Sequence, residues 1–467
     1  MIEQFHEKPK SSSYDLVVIG SGPGGQRAAV QAAKLGKTTL VIEKDRMGGS
    51  CLHTGTIPSK TLREAALDEA AIKTQDADIL RAVMSRTREV IENESAVIER
   101  QLSRNKVEYV GGLGSLGGSH TVHIRNAAGS FDVKAQFIVI ATGTTPRRPT
   151  EIPFDSHAVF DSDTILEMSV QPKTMAVIGA GVIGCEYASI YARMGVKVSL
   201  IDRKSELLPS IDPEITSALG KQFEKSGIEV CLGADYKEIK VSKGLKRKQA
   251  HLQLLLAGES EFTQRQFEAV LVCVGRTGNV EHLNLNSTGI EVNDRGLITV
   301  NSNYQTSTPS IYAVGDIIGA PALAASSAEQ GRLAVLHAFQ NLEVHFPTTF
   351  PYGIYTIPEI SSVGAQESEL KLRGTHYVVG RAHYREIARG KILADETGFL
   401  KLLVDRQTAR ILGVHVIGSG ATELVHIGQT AMAFNATIDF FVDNVFNYPT
   451  LAEAYKVAAL HALNQLR

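Results

Sequence analysis

Leu16-Val17-Val18-Ile19-Gly20-Ser21-Gly22-Pro23-Gly24-Gly25 decides the fold of this chain. Four apolar, mostly β-branched residues make a short buried strand, and the glycines after it fit GxGxxG. Gly20 allows a tight turn, Gly22 lets a pyrophosphate approach the backbone, and Gly25 lets a helix pack close to the strand. The helix that follows, Gln26 to Leu35, is rich in alanine and stops at Gly36. Its N-terminus offers partial positive charge to phosphates. Thr38-Thr39-Leu40-Val41-Ile42 is a second buried strand, and Glu43 ends it. An acid at that place, ~20 residues past the glycines, hydrogen-bonds a ribose 2′-OH. A lone GxGxxG is weak evidence. Strand, helix, second strand and terminal acid in order make a βαβ dinucleotide unit.

The unit occurs twice. Met175-Ala176-Val177-Ile178 leads into Gly179-Ala180-Gly181-Val182-Ile183-Gly184, a helix through Met194, and a strand from Val196 to Ile201. Asp202 ends this second unit and favours a free 2′-OH, hence NAD. Arg203 and Lys204 follow at once. They read either as holders of a 2′-phosphate, hence NADP, or as a solvated charge cluster in a turn. Two dinucleotide sites in one chain suggest one tightly held flavin and one exchanging nicotinamide, between which hydride moves readily.

The rest of the composition excludes several classes. At 467 residues the chain is too long for one ordinary domain and suggests about three of ~150 residues. With 48 basic and 50 acidic residues the net charge is −2, which gives no field for nucleic acid. No run approaches ~18 apolar residues, so no membrane-spanning helix is expected. The opening residues read as a polar tail rather than a secretory signal. Cys51, Cys185, Cys231 and Cys273 lie far apart with no CxxC pair, so neither a metal cluster nor a disulfide framework is expected. A cytoplasmic location follows from these features. Between the two units, apolar residues from Ile79 to Leu102 recur every three to four positions and mark a long amphipathic helix. Short strands are expected across Gly111 to Phe131. Beyond Phe346, alternating segments at Lys401–Val404 and Ile411–Ile417 precede helices at Thr422–Ala433 and Leu451–Gln465.

Met47-Gly48-Gly49-Ser50-Cys51-Leu52-His53-Thr54-Gly55-Thr56-Ile57-Pro58-Ser59-Lys60 closely resembles the active-site stretch of the flavoprotein disulfide reductases. The resemblance extends over nearly the whole chain from Tyr14. It takes in Ala141-Thr142-Gly143, Val274-Gly275-Arg276 and Thr308 through Asp316, where Gly315 and Asp316 close the second FAD motif. It implies an α/β protein with two Rossmann-like domains, for FAD and NAD(P), and a C-terminal α+β interface domain that forms a homodimer or a higher homo-oligomer. The implied order is a disordered polar tail at 1–13, the first segment of the FAD domain at 14–150, the NAD(P) domain at 151–275, the second segment of the FAD domain at 276–345, and the interface domain at 346–467. By the same resemblance Lys60 lies beside the flavin and Glu186 pairs with it. Gly49, Cys51, Thr56, Thr142, Gly143, Gly315 and Asp316 join Gly20, Gly22, Gly25 and Glu43 at FAD. Gly179, Gly181, Gly184, Asp202, Arg203 and Lys204 lie at the nicotinamide coenzyme, and Gly275 and Arg276 are further cofactor-binding residues. No metal site is implied.

Two departures carry more than the matches. The family pairs two cysteines in GGxCxxxxC, and the second is here Thr56, which forms neither a disulfide nor a thiolate. The family's C-terminal His-Pro-Thr-x-x-Glu is here Tyr448-Pro449-Thr450-Leu451-Ala452-Glu453. A phenol, with a reference pKa near ~10, is a poor base at neutral pH. His415, His426 and His461 lie elsewhere and read as structural. With the dithiol machinery missing, hydride that enters the flavin needs another acceptor, and a second nicotinamide is the simplest. Asn447 through Tyr455 resembles the ending of a dithiol-free branch of the family that exchanges hydride between NADPH and NAD⁺. An NAD(P)H:quinone or dye reductase stands as the alternative, as do a redox-active Cys51 and a non-catalytic flavoprotein scaffold.

Overall fold

Leu16, Val17, Val18 and Ile19 are buried on both faces, as the centre of a parallel sheet requires. The computed structural model describes residues 8–72, 79–243, 248–347 and 349–467. In it, strand Ser13–Ile19 pairs in parallel with Thr39–Glu43 on one side and with Gly129–Ile140 on the other. Glu108–Gly111 and Ile311–Ala313 complete the outer positions in parallel. Each fully buried Val, Leu or Ile here stabilises by about 1.5–3 kcal/mol. Helix Pro23–Lys34 packs against helix Ala324–Gln340, so the chain after residue 310 returns to finish the domain that began at the N-terminus. Their approach is close at Gly331, where a Cβ would lie 2.1 Å from the Gly24 carbonyl oxygen.

The second unit repeats the order. Glu229–Leu232, Lys197–Asp202, Thr174–Ile178, Ala269–Val272 and Val159–Phe160 form a five-stranded parallel sheet. The chain enters this unit after Thr144–Pro146 and leaves it before Arg276–Gly278, and these two short strands pair antiparallel. The C-terminal region is a five-stranded antiparallel sheet in the order Tyr352–Ile354, Ile360–Gly364, Ile411–Ile417, Phe399–Asp405, Tyr377–His383. Helices Ala421–Ala433 and Glu453–Leu466 pack on it.

The expected amphipathic helix runs Ile79–Arg104, and the stretch after Gly111 is a three-stranded antiparallel meander ending in strand Gly129–Ile140. Of the segment expected to be a disordered tail, residues 1–7 lie outside the described residues. Its last stretch departs from that expectation: the Lys10 N–H donates to Glu108, and Ser13 opens the first strand. The adjacent sheet edge supplies acceptors that a sequence pattern does not reveal. No described helix is long and apolar enough to cross a membrane.

Candidate functional site

Gly22 caps helix Pro23–Lys34, and a Cβ built on it would meet nothing within 4 Å. Its neighbours are confined. Gly20 has φ +105°, and a Cβ on Gly25 would lie 2.0 Å from the Gly20 carbonyl oxygen. One glycine is therefore open to a ligand while the other two hold the turn. Glu43 is buried beside this loop: its Oε2 accepts from the Ser21 N–H at 2.9 Å and the Ser21 hydroxyl at 2.6 Å. Its Oε1 accepts from the Asp45 N–H. Gly49 packs on the same turn, since a Cβ there would lie 3.2 Å from the Gly22 Cα.

The short helix Gly49–His53 carries Cys51, and the helix Thr56–Ile72 carries Thr56 and Lys60. Burial pushes the Cys51 thiol up, only partly offset by a hydrogen bond from Thr56 and by the charge of Lys60. Asp316 pushes the thiol further up, so Cys51 lies within reach of charges from both the N-terminal helix and the returning chain. Burial also holds His53 below its ordinary value. Its Nε2 lies 2.8 Å from the Met47 carbonyl, and its Nδ1 is buried without a protein partner among the described residues.

Lys60 and Glu186 meet because helix Thr56–Ile72 faces helix Val182–Arg193. Lys60 Nζ donates to Glu186 Oε2 at 2.7 Å and to Oε1 at 3.0 Å. The Glu186 side chain is 5% exposed and that of Lys60 24%. The C-terminal domain reaches into the same junction. The Tyr355 N–H donates to Glu186 Oε1 at 2.9 Å, and Lys60 Nζ lies 5.0 Å from the Tyr355 ring centroid. The Ile357 N–H donates to Ser189, and buried Arg63 donates through Nε to the Thr356 carbonyl. The N-terminal, middle and C-terminal parts of the chain thus meet around one ammonium. Sequence reasoning missed Tyr355, Arg63 and Ser189. Tyr355-Thr356-Ile357-Pro358-Glu359 offered a signal, a proline-restricted turn between two strands; Arg63 and Ser189 offered none.

Thr142, Gly143, Gly315 and Asp316 lie where strand ends Ile140 and Ala313 come together. Thr142 Oγ1 is buried with no protein partner among the described residues. The Thr144 hydroxyl reaches Asp316 at 3.4 Å and accepts from Arg276 Nε at 2.7 Å. Arg276 also lies 3.9 Å from Asp163. Burial pushes the Asp163 carboxyl up against that pull, and Thr54 of the Cys51 loop hydrogen-bonds it. Asp163 escaped the sequence reading, because no motif surrounds it.

The second glycine turn copies the first. Gly181 and Gly275 have nothing within 4 Å of a built Cβ, while a Cβ on Gly184 would lie 1.8 Å from the Gly179 carbonyl oxygen. Asp202 ends its strand with both oxygens engaged, by the Ala180 N–H at 2.6 Å and the Lys204 N–H at 2.8 Å. Arg203 pairs with Asp235. Tyr448 is exposed on the single chain, and Glu453 Oε2 is buried without a partner among the described residues.

These features suit two dinucleotides. Each turn offers an open glycine at a helix N-terminus, as a pyrophosphate needs. The orphaned Thr142 hydroxyl faces a gap in the protein's own hydrogen bonding of the kind a ligand fills.

Comparison with known proteins agrees. A family model described as "Pyridine nucleotide-disulphide oxidoreductase" matches residues 14–331, and one described as its dimerisation domain matches residues 350–459. The soluble pyridine nucleotide transhydrogenase of Mycobacterium tuberculosis is 44% identical, across 97% of this chain and 98% of its own. That of Yersinia pestis is 41% identical across 100% of both. Among solved structures, the HOCl-induced flavoprotein disulfide reductase RclA from Escherichia coli superposes with a TM-score of 0.86 at 25% identity, over 96% of this chain and 99% of that one. LpdA from Mycobacterium tuberculosis, at 24% identity and with the same coverage, shares the fold with a TM-score of 0.87.

Proposed function

The chain belongs to the pyridine nucleotide-disulphide oxidoreductase family, and we propose that it transfers hydride between NADPH and NAD⁺ through bound FAD: NADPH + NAD⁺ ⇌ NADP⁺ + NADH. The observation that carries this reading is the survival of the Lys60–Glu186 pair beside a position, Thr56, that no longer holds a thiol. Relatives named soluble pyridine nucleotide transhydrogenase, matched end to end, support it.

The turn Gly20–Gly25, Glu43, Gly49, Thr142, Gly143, Gly315 and Asp316 hold FAD in this reading. Gly179, Gly181, Gly184, Asp202, Gly275 and Arg276 hold the nicotinamide coenzymes, with Arg203 and Lys204 at the 2′-phosphate. When bound, FAD supplies a two-electron centre that accepts hydride from one nicotinamide and returns it to another. Lys60 keeps a fixed positive charge where hydride brings negative charge, and Glu186 and the Tyr355 ring keep that ammonium from swinging away. Thr56 offers electrons no route to a dithiol. Tyr448 supplies no imidazole for thiol chemistry. Cys51, uncharged at neutral pH because burial raises its pKa, packs without reacting.

The protein works as a homodimer in the cytoplasm in this reading. The dimerisation-domain match supports the first point, and the relatives' description as soluble supports the second. Phe434 (82% exposed) and Val445 (93% exposed), on that domain, suit burial against a second copy. The test is anaerobic turnover of NADPH with a spectrally distinct NAD⁺ analogue, run beside menadione. Fast transfer to the analogue with parallel-line kinetics is expected. Slow transfer with fast menadione reduction would make the protein a quinone or dye reductase instead.

A further inference from the structure

A protein that exchanges hydride between NADPH and NAD⁺ through one nicotinamide site must admit coenzymes with and without a 2′-phosphate. The two differ by about two negative charges, and a fixed cation or a fixed anion at that place would favour one of them. Neither Asp202 nor Arg203 is a fixed, uncompensated charge there, and Lys204, exposed and held by no ion pair among the described residues, is a cation but not a fixed one. Both oxygens of the Asp202 carboxylate already accept backbone N–H groups, from Ala180 and Lys204, which offset its charge. Arg203, the next residue, donates through Nε to Asp235 Oδ1 at 2.5 Å. Its guanidinium lies 4.9 Å from the Tyr236 ring centroid. Its Nη groups make no hydrogen bond among the described residues. Asp235 opens strand Asp235–Lys243 and lies beside Asp202, whose carbonyl accepts the Ala234 N–H. The Arg203 and Asp235 side chains are 63% and 49% exposed. Glu151 and Arg147 add one charge of each sign around the Arg203–Tyr236–Asp235 group.

We propose that Asp235 is a specificity-determining residue: it holds Arg203 neutralised when NAD(H) is bound and releases it to the 2′-phosphate when NADP(H) is bound. The inference rests on the transhydrogenase reading above. An ion pair as exposed as this holds weakly in water, so releasing it is cheap. A phosphate offers the guanidinium two parallel charge-assisted hydrogen bonds, which a carboxylate engaged through Nε alone does not. Cation–π attraction to the Tyr236 ring keeps the guanidinium close in both states, so only its partner changes. Asp235 thereby handicaps NADP(H) by the strength of the pair it must give up. It also spares NAD(H) the desolvation of an unpaired cation beside its ribose.

Isothermal titration of the FAD-loaded protein with 2′,5′-ADP and with 5′-AMP tests this without any turnover. Asp235→Asn should tighten 2′,5′-ADP by about three- to fivefold, the range an exposed pair allows, and leave 5′-AMP within about twofold. Arg203→Gln should weaken 2′,5′-ADP by about tenfold or more, as loss of a hydrogen-bonded charge does. In Arg203→Gln/Asp235→Asn the gain from the aspartate change should vanish. Binding of 5′-AMP reports whether each variant keeps its site intact. Equal tightening of both ligands in Asp235→Asn, or a gain that persists without Arg203, would reduce Asp235 to a general field effect and overturn the proposal. So would unchanged 2′,5′-ADP binding in Arg203→Gln. If the predicted binding holds but hydride never passes between coenzymes, the transhydrogenase reading fails while this assignment stands.

Discussion

Lys60 and Glu186 stand 126 positions apart in sequence and 2.7 Å apart in space, and the carboxylate takes a further hydrogen bond from the Tyr355 backbone. A partly exposed ammonium and a buried carboxylate depend on each other for this placement. Removing one leaves the other's charge uncompensated, which costs about 3 kcal/mol for a well-buried pair and less where water reaches the lysine.

Lys60→Met should therefore lower the thermal midpoint and slow anaerobic bleaching of the flavin by NADPH by about tenfold or more. Lys60→Met/Glu186→Gln should restore most of the stability, because no charge is left stranded and the amide oxygen still accepts from the Tyr355 N–H. It should not restore the rate. Stopped-flow absorbance with differential scanning fluorimetry separates the two effects, and recovery of both together would make the pair purely structural.

The glycines of the first turn should separate folding from cofactor retention. Gly22→Ala places its methyl in open space, so the apoprotein should fold normally yet purify with a reduced FAD content. Gly25→Ala drives a methyl into the Gly20 carbonyl and should destabilise the domain itself. Circular dichroism and the ratio of flavin to protein absorbance distinguish them.

Cys51→Ser should keep turnover within about twofold of wild type. Burial raises this thiol, so it remains protonated through neutral pH and reacts slowly with iodoacetamide. Loss of most activity with FAD still bound would place the sulfur in the electron path.

Acid stability should report on the junction between the second and third domains. Lys401 is 1% exposed and bonded to Asp212 and Glu367. Burial pushes Glu367 up, but its hydrogen bonds from Lys401 and Tyr377 outweigh this and bring it down to about 2. The unfolded chain takes up this proton near its ordinary value of 4.5. The stability that Glu367 contributes is thus complete above that value and is lost as pH falls toward about 2. Lys401→Met should be less stable at pH 7 and lose less stability per pH unit between those limits. Urea unfolding midpoints across that range check it, and a slope equal to wild type would contradict it.

How far the sequence carried varies with the physical source of each feature. The glycine turns were legible because steric need fixes residue type at fixed spacing, as at Gly20, Gly25, Gly179 and Gly184. The long helix from Ile79 was legible through its period. Lys60 and Glu186 were reached through resemblance alone, since nothing local links residues on two helices. Tyr355, Ser189 and Asp163 were not reached. Their roles come from groups on distant parts of the chain that approach only after those parts have packed. Arg203 stood undecided between a phosphate ligand and a solvated charge, and Asp235, 32 residues on, explains why the residue type alone did not settle it.

The most direct test of hydride exchange through the flavin is a single half-reaction. The holoenzyme is bleached by one equivalent of NADPH without oxygen, freed of nucleotide, and mixed with NAD⁺ in a stopped-flow instrument. The yellow flavin spectrum should return with stoichiometric NADH, at a rate no slower than steady-state turnover. A flavin that stays bleached in NAD⁺ yet recovers its colour with menadione would contradict the transhydrogenase reading.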